Sequence, residues 1–310
     1  MSNILIIKHG SLGDLIQANG GMEDIKKSNL KSHIVLLTSL PYYDLMHKCP
    51  YIDEVIVDKR QPRWNLFYLY NLKKKLLSYD FTHVFDLQNS SRTKFYSKYL
   101  LNSPIWSSTF TVLGIGQKKS DFDEEPVLDR MELQLQKSGI KTINVKKSNL
   151  NWAVVNIRNI TKNYFSGKYI LVFPFCSPKL INKKWPYYSI LISQLKSKYN
   201  RKYHVVIAPG PNEIEESKSL NAHILLDEKK PIKIDQLISL IKDASFVISN
   251  DTGPAHICKH MDKPGLALFG SHTSAHKVSI ESEKFKAISV KDLNLLKAET
   301  VMEKVKDVLN

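Results

Sequence analysis

Apolar residues in this chain fall into short continuous runs, separated by stretches of helical length. In the first half the runs are residues 4–8, 34–38, 54–57 and 83–86. Each has strand length, and 4–8 and 34–38 are too uniformly apolar for a half-exposed strand. Between them, residues 16–28, 41–48, 64–78 and 93–101 carry helix-compatible patterns. Segment 106–123 is rich in turn formers and shows no period, and 124–138 reads as a helix stopped by Gly139. A polar, irregular stretch, 156–167, has the composition of a linker. A second alternating set follows, with strands at 169–173, 204–208, 223–226, 246–249 and 265–269. Its helices fit 187–199, 212–219, 233–243 and 255–260, with a final amphipathic helix in 293–309. Strand-helix alternation with buried strands argues for parallel sheets covered on both faces. The expected fold is therefore α/β: two Rossmann-like domains, 1–155 and 168–310, facing a central cleft.

Two strand-to-helix junctions carry most of the candidate chemistry. In Ser249-Asn250-Asp251-Thr252-Gly253-Pro254-Ala255-His256, a buried run ends in an acid, a hydroxyl and a glycine, and a helix begins. Asp251 and Thr252 are good N-caps, and Pro254 suits a first helical turn. A helix N-terminus exposes N–H groups and a positive dipole end, which suits a diphosphate. The second junction, His9-Gly10-Ser11-Leu12-Gly13-Asp14, follows the first strand.

Composition narrows the partners. The chain has 310 residues and a net charge of +15, so anionic partners are favoured. Its lysine pairs are scattered and no nucleic-acid-binding motif is present, so no nucleic acid partner is expected. The first loop lacks the G-x-G-x-x-G spacing, which argues against a nicotinamide dinucleotide. Cys49, Cys176 and Cys258 have neither disulfide nor metal spacing and read as single buried thiols. No apolar run approaches the roughly 20 residues of a membrane helix. With a strand at the very start and no leader pattern, a cytoplasmic location is expected.

Several segments in order now form a larger pattern: Ser11-Leu12-Gly13-Asp14, Asp86-Leu87-Gln88, Lys184-Trp185-Pro186, Pro209-Gly210 with Glu213, and Asp251-Thr252-Gly253-Pro254-Ala255-His256. Together they resemble the lipopolysaccharide heptosyltransferase family, glycosyltransferase family 9 with the GT-B fold. The resemblance implies a donor nucleotide on the C-terminal domain, an acceptor on the N-terminal domain, and a last helix that crosses back to the first domain. It also implies inverting transfer from a nucleotide diphosphate sugar, typically ADP-heptose, with no cofactor and no essential metal. The acceptor would be an anionic lipid-linked glycan or oligosaccharide of the lipopolysaccharide core. Such an enzyme would work peripherally on the cytoplasmic face of the inner membrane.

The residue roles follow from that chemistry. Asp14, at a strand's C-terminal end, is the candidate base; the competing reading is a helix cap. Ser11 and Gly13 shape its loop. Lys184 is expected to meet phosphate or ribose, with Lys183 as the adjacent competitor. Glu213 suits two ribose hydroxyls, with Glu215 and Glu216 nearby. Asp251 would accept from sugar hydroxyls, while Thr252 and Gly253 offer amides to the diphosphate. His256, in the same donor segment, is expected to pack rather than to move a proton. Arg60, Arg63 and Arg92 are candidates for an anionic acceptor. One departure from the family stands out: loop 271–277, Ser-His-Thr-Ser-Ala-His-Lys, has no proline where the family's donor loop carries one. Choice of donor sugar is open at that point. The alternative reading is a degenerate homologue that binds a nucleotide sugar without transferring it.

Overall fold

The computed structural model describes residues 2–309. The chain divides into two compact units, Met1–Ser148 and Asn149–Asn310. The first is built on five strands: β1 (Asn3–Ile7), β2 (His33–Thr38), β3 (Glu54–Val57), β4 (Phe81–Asp86) and β5 (Ile105–Ser107). Their order is β3-β2-β1-β4-β5, and every pairing is parallel. The second has six: β6 (Tyr169–Phe173), β7 (His204–Ile207), β8 (His223–Ile224), β9 (Phe246–Asn250), β10 (Gly265–Phe269) and β11 (Phe285–Ser289). Their order, β11-β10-β9-β6-β7-β8, is again wholly parallel. Counted within each unit, both sheets run 3-2-1-4-5, and the second adds a sixth strand. This is the doubly wound order, in which strand succession reverses between the first and fourth strands.

The central strands explain the apolar runs. Leu5, Ile6 and Ile7 of β1 and Ile170, Leu171 and Val172 of β6 are fully buried, because helices cover both faces. Burying each such side chain contributes roughly 1.5–3 kcal/mol. Two strands escaped the pattern. The three residues of β5 are too few to display a period, and β11 is an edge strand in which Lys286 is exposed.

The expected helix 16–28 is two helices, Leu12–Gln17 and Asn19–Ser28. Its start lies earlier because Asp14 Oδ2 accepts from the Ser11 amide at 2.8 Å and hydroxyl at 2.9 Å, closing the first turn. The polar, glycine-rich stretch after Asp14 serves packing. A Cβ on Gly20 would lie 2.2 Å from the Asn144 carbonyl oxygen, so only glycine lets the two segments approach. One turn on, buried Asp24 accepts from the amides of Ile143, Asn144 and Val145 at 2.9–3.1 Å.

The expected linker, 156–167, lies within the second unit. Tyr164 donates its hydroxyl to the Leu226 carbonyl at 3.0 Å, and the boundary falls earlier, after Ser148. The last helix is Ala298–Leu309. Its stripe of Val301, Met302, Val305 and Leu309 is buried in the core cluster of its own unit, with Leu191, Leu195 and Tyr199 of helix Tyr188–Tyr199. Among the described residues no helix is long and apolar enough to cross a membrane.

Asp24→Ala leaves three amide donors without their acceptor, that of Val145 fully buried, and should lower the unfolding free energy by on the order of 3 kcal/mol in urea titrations. An effect under about 0.5 kcal/mol would mean that water replaces the carboxylate.

Candidate active site

In the first unit the strand ends around the β1–β4 reversal gather a charged cluster. Asp86 closes the turn after β4, accepting from the amides of Gln88 at 3.0 Å and Asn89 at 2.9 Å. Gln88 Oε1 in turn accepts from the His9 amide at 2.9 Å. Lys8 is buried, and its ammonium donates to the Leu87 carbonyl at 2.8 Å. Burial pushes the Lys8 pKa down, while the charges of Asp14 and Asp86 pull it back up. Asp14 is therefore both the capping residue of its helix and the electrostatic neighbour of a buried cation. Gly10 precedes it with φ +110°, and a Cβ there would lie 2.3 Å from the Tyr42 ring. Gly13 is buried and Ser11 exposed.

A second polar network lies beside this turn. His9 Nε2 stands 2.8 Å from Asp58 Oδ2, both side chains being buried. Tyr96 donates to the same carboxylate at 2.7 Å, the Arg60 amide donates at 2.7 Å, and the Tyr68 hydroxyl also donates. Burial alone pushes the Asp58 pKa up, but hydrogen bonds from His9, Tyr68 and Tyr96 outweigh it and hold it well below the usual carboxylate range. Arg92 is committed to this framework. Its guanidinium donates to the Tyr96 hydroxyl at 3.1 Å and to the carbonyls of Arg60 and Gln61 at 3.2 and 2.9 Å. Arg60 and Arg63 are exposed at the same corner, Arg63 lying 5.8 Å from the Phe95 ring centre. The fold thus brings the three candidate arginines together, with two turned to solvent.

In the second unit, Asp251 follows β9 and is buried. Its Oδ2 accepts from Lys183 Nζ at 2.6 Å and lies 3.1 Å from His272 Nε2. His256 Nε2 lies 3.9 Å from Oδ1, so this histidine does face the acid it follows in sequence. His272 stacks on Phe269, its pKa pushed down by burial and pulled up by Asp251. The helix Gly253–His260 starts as expected, with Thr252 at the N-cap and Gly253 heading the first turn. The Thr252 hydroxyl makes no cap bond and instead lies 3.2 Å from Ser249 Oγ.

The two adjacent lysines have different partners. Lys183 holds Asp251, whereas Lys184 pairs with Glu216 and lies 5.8 Å from the Phe175 ring centre. Glu213 is turned inward, accepting from the Gly210 amide at 2.7 Å. Burial is the main cause of its raised pKa. A cavity of about 620 Å³ opens at the ends of β6 and β10, lined by Phe175, Lys184, Glu216, His272, Leu293 and Asn294 among others. That volume falls within the range of small-molecule sites. Cys176 nearby is half-exposed, unlike the buried Cys49 and Cys258.

Residue reasoning missed Lys8, His272 and Asn250. The Asn250 side chain accepts from the Trp185 amide at 3.2 Å and the Tyr188 hydroxyl at 3.1 Å, and donates to the Phe175 carbonyl at 3.3 Å. Position was the available signal for all three, since each stands at or just after a strand end.

Asp58 sets a pH dependence. Its folded pKa is depressed, so its stabilisation is complete above the ordinary aspartate value of about 3.9 and is lost as pH falls below it. Unfolding titrations from pH 7 to pH 2 should show that acid-side slope. Asp58→Asn should flatten it and cost on the order of 3 kcal/mol at pH 7.

Against this geometry, the family model described as glycosyltransferase family 9 (heptosyltransferase) matches residues 69–306. Among solved structures, the glycosyl transferase family 9 protein of Veillonella parvula is 17% identical at a TM-score of 0.79, covering 99% of this chain and 97% of its own. The ADP-heptose lipopolysaccharide heptosyltransferase II of E. coli is 19% identical at a TM-score of 0.73, covering 100% and 98%. E. coli heptosyltransferase WaaC with ADP-2-deoxy-2-fluoro heptose is 15% identical at a TM-score of 0.71, covering 98% and 99%. At these identities the structures establish a shared GT-B fold, and the family match over most of the chain establishes membership. This protein belongs to glycosyltransferase family 9, the heptosyltransferase family, and is a glycosyltransferase.

Proposed function

We propose that the protein transfers heptose from ADP-heptose, with inversion, to a lipopolysaccharide-core or related anionic glycan at the cytoplasmic face of a membrane, without a cofactor or an essential metal. The observation that carries this reading is the segment around buried Asp251. An acid, a helix N-terminus, Lys183 and His272 stand together beside a cavity of about 620 Å³ in a family 9 chain. The solved relatives add weight to the choice of donor: one is described with ADP-2-deoxy-2-fluoro heptose and another as an ADP-heptose enzyme.

In this reading the acceptor hydroxyl attacks the anomeric carbon while the bond to the nucleoside diphosphate breaks. Asp14 takes the hydroxyl proton, and the diphosphate leaves with the bonding pair. Charge developing on the leaving group meets the Gly253 end of the helix and the Lys183 and Lys184 ammonium groups. Asp251 exchanges its present partners for the donor's hydroxyls, and Glu213 accepts from the ribose. Arg60 and Arg63 remain available to an anionic acceptor, whereas Arg92 holds their loop.

Calorimetric titration with ADP, GDP, UDP and dTDP tests the donor first. Selective ADP binding is expected; preference for another nucleotide would replace ADP-heptose as the donor. Asp14→Asn should lower transfer by roughly 10²–10⁴-fold with ADP affinity unchanged. Wild-type turnover in that variant would remove Asp14 as the base. Lys183→Ala leaves a buried carboxylate without its cation, so it should destabilise the second unit and weaken donor binding together. Lys184→Ala should weaken ADP binding with little change in melting temperature, because its partner Glu216 is exposed. Unaltered ADP affinity in the Lys184 variant would assign the phosphate contact to Lys183.

A further inference from the structure

The helix Leu66–Leu77 covers the first sheet with one face only. Leu69, Leu72 and Leu76 are buried, as the i, i+3, i+7 spacing requires. Its solvent side is only partly polar, mixing Asn71, Lys74 and Lys75 with large apolar side chains. Leu66 is 73% exposed, Phe67 78%, Tyr70 66% and Leu77 49%, and Trp64 just ahead of the helix is 80% exposed. With 3.6 residues per turn, Leu66, Phe67, Tyr70, Lys74 and Leu77 fall within an arc of about 100°. Single exposed apolar residues are ordinary, but a ridge that includes three aromatic rings marks an interaction surface.

Charge decides what covers it. Between Lys59 and Tyr79 the chain carries Lys59, Arg60, Arg63, Lys73, Lys74 and Lys75 and not one aspartate or glutamate. The neighbouring helix Ser91–Tyr99 also lacks acids and adds exposed Lys94 and Lys98. Lys94 Nζ lies 4.1 Å from the ring centre of Phe110, itself 42% exposed. The ridge is thus an apolar strip with cations before it, after it and beside it. Aromatic and aliphatic side chains flanked by lysine and arginine are the composition of a helix that lies in a bilayer interface.

We propose that this ridge is the docking surface of the first unit for an anionic lipid bilayer. Trp64, Leu66, Phe67 and Tyr70 enter the boundary between headgroups and acyl chains, and Lys74 and Lys75 meet the anionic headgroups. This surface deepens the proposed membrane location, but it rests on the ridge and its charges and not on sugar transfer.

The test uses the full chain and vesicles of phosphatidylcholine with or without phosphatidylglycerol, at low salt. The protein should sediment with the anionic vesicles and much less with the neutral ones. Emission from Trp64 should shift to the blue and be quenched by brominated lipid; Trp64→Phe should still sediment but lose that quenching. Leu66→Ser with Phe67→Ser should lower partitioning by tenfold or more. Lys74→Glu with Lys75→Glu should do likewise, since each cation near an anionic surface contributes on the order of fivefold. Both double variants should keep the parent's melting temperature and ADP affinity, which separates this surface from the donor assignment. Failure to sediment, or sedimentation unchanged in both variants, would overturn the proposal. A dimer in sedimentation equilibrium that Phe67→Ser dissolves would also overturn it, giving the ridge to a second copy of the chain.

Discussion

The side-chain amide of Asn250 holds the second unit's site together. It stands at the last residue of β9, fully buried, and bonds to Phe175 beyond β6 and to Trp185 and Tyr188. A buried amide left without partners would be costly, so these three contacts are held as a set. Trp185 extends the lock, donating its indole N–H to the Leu296 carbonyl at 2.8 Å. With the two strand ends and the lysine loop fixed in this way, the next residue, Asp251, meets Lys183 at 2.6 Å. The charged pair is a consequence of the neutral one.

The two units share a strand order and use it differently. In the second, the junction after β9 gives an acid outside a helix and a hydroxyl at its cap. In the first, the junction after β1 places the acid inside the helix, at the third residue, where it accepts from Ser11. Position therefore separates Asp251, held by a lysine and a histidine, from Asp14, a half-buried carboxylate near one buried lysine. Such a difference suits a binding group in one unit and a proton acceptor in the other.

Surface chemistry in the first unit follows from what its core leaves over. Helix Leu66–Leu77 needs only Leu69, Leu72 and Leu76 to seal the sheet, so Phe67 and Tyr70 contribute nothing to the core. Arg92 is spent on the Arg60–Gln61 carbonyls, which leaves the Arg60 and Arg63 side chains at the solvent edge. The net charge of +15 is therefore not merely a solvated background, because part of it is concentrated around exposed rings.

By itself the sequence determined the alternation of strands and helices, since a strand buried on both faces must be apolar throughout, and β1 and β6 declare themselves in that way. It also marked the two junctions, because proline, glycine and capping residues act through their immediate neighbours. What it left undecided were choices made between segments distant in the chain. Lys183 and Lys184 are adjacent and chemically identical, and only the Asn250 lock turns the first toward Asp251 and leaves the second to Glu216. The amphipathic stripe of Ala298–Leu309 announces by its spacing that something covers it but not what, and in the fold the core of its own unit does so. Lys8 and His272 were marked only by their place near strand ends, because their partners come from other segments. Local propensity reads along the chain, whereas a parallel sheet builds its site across it, from strand ends that only the tertiary fold brings side by side.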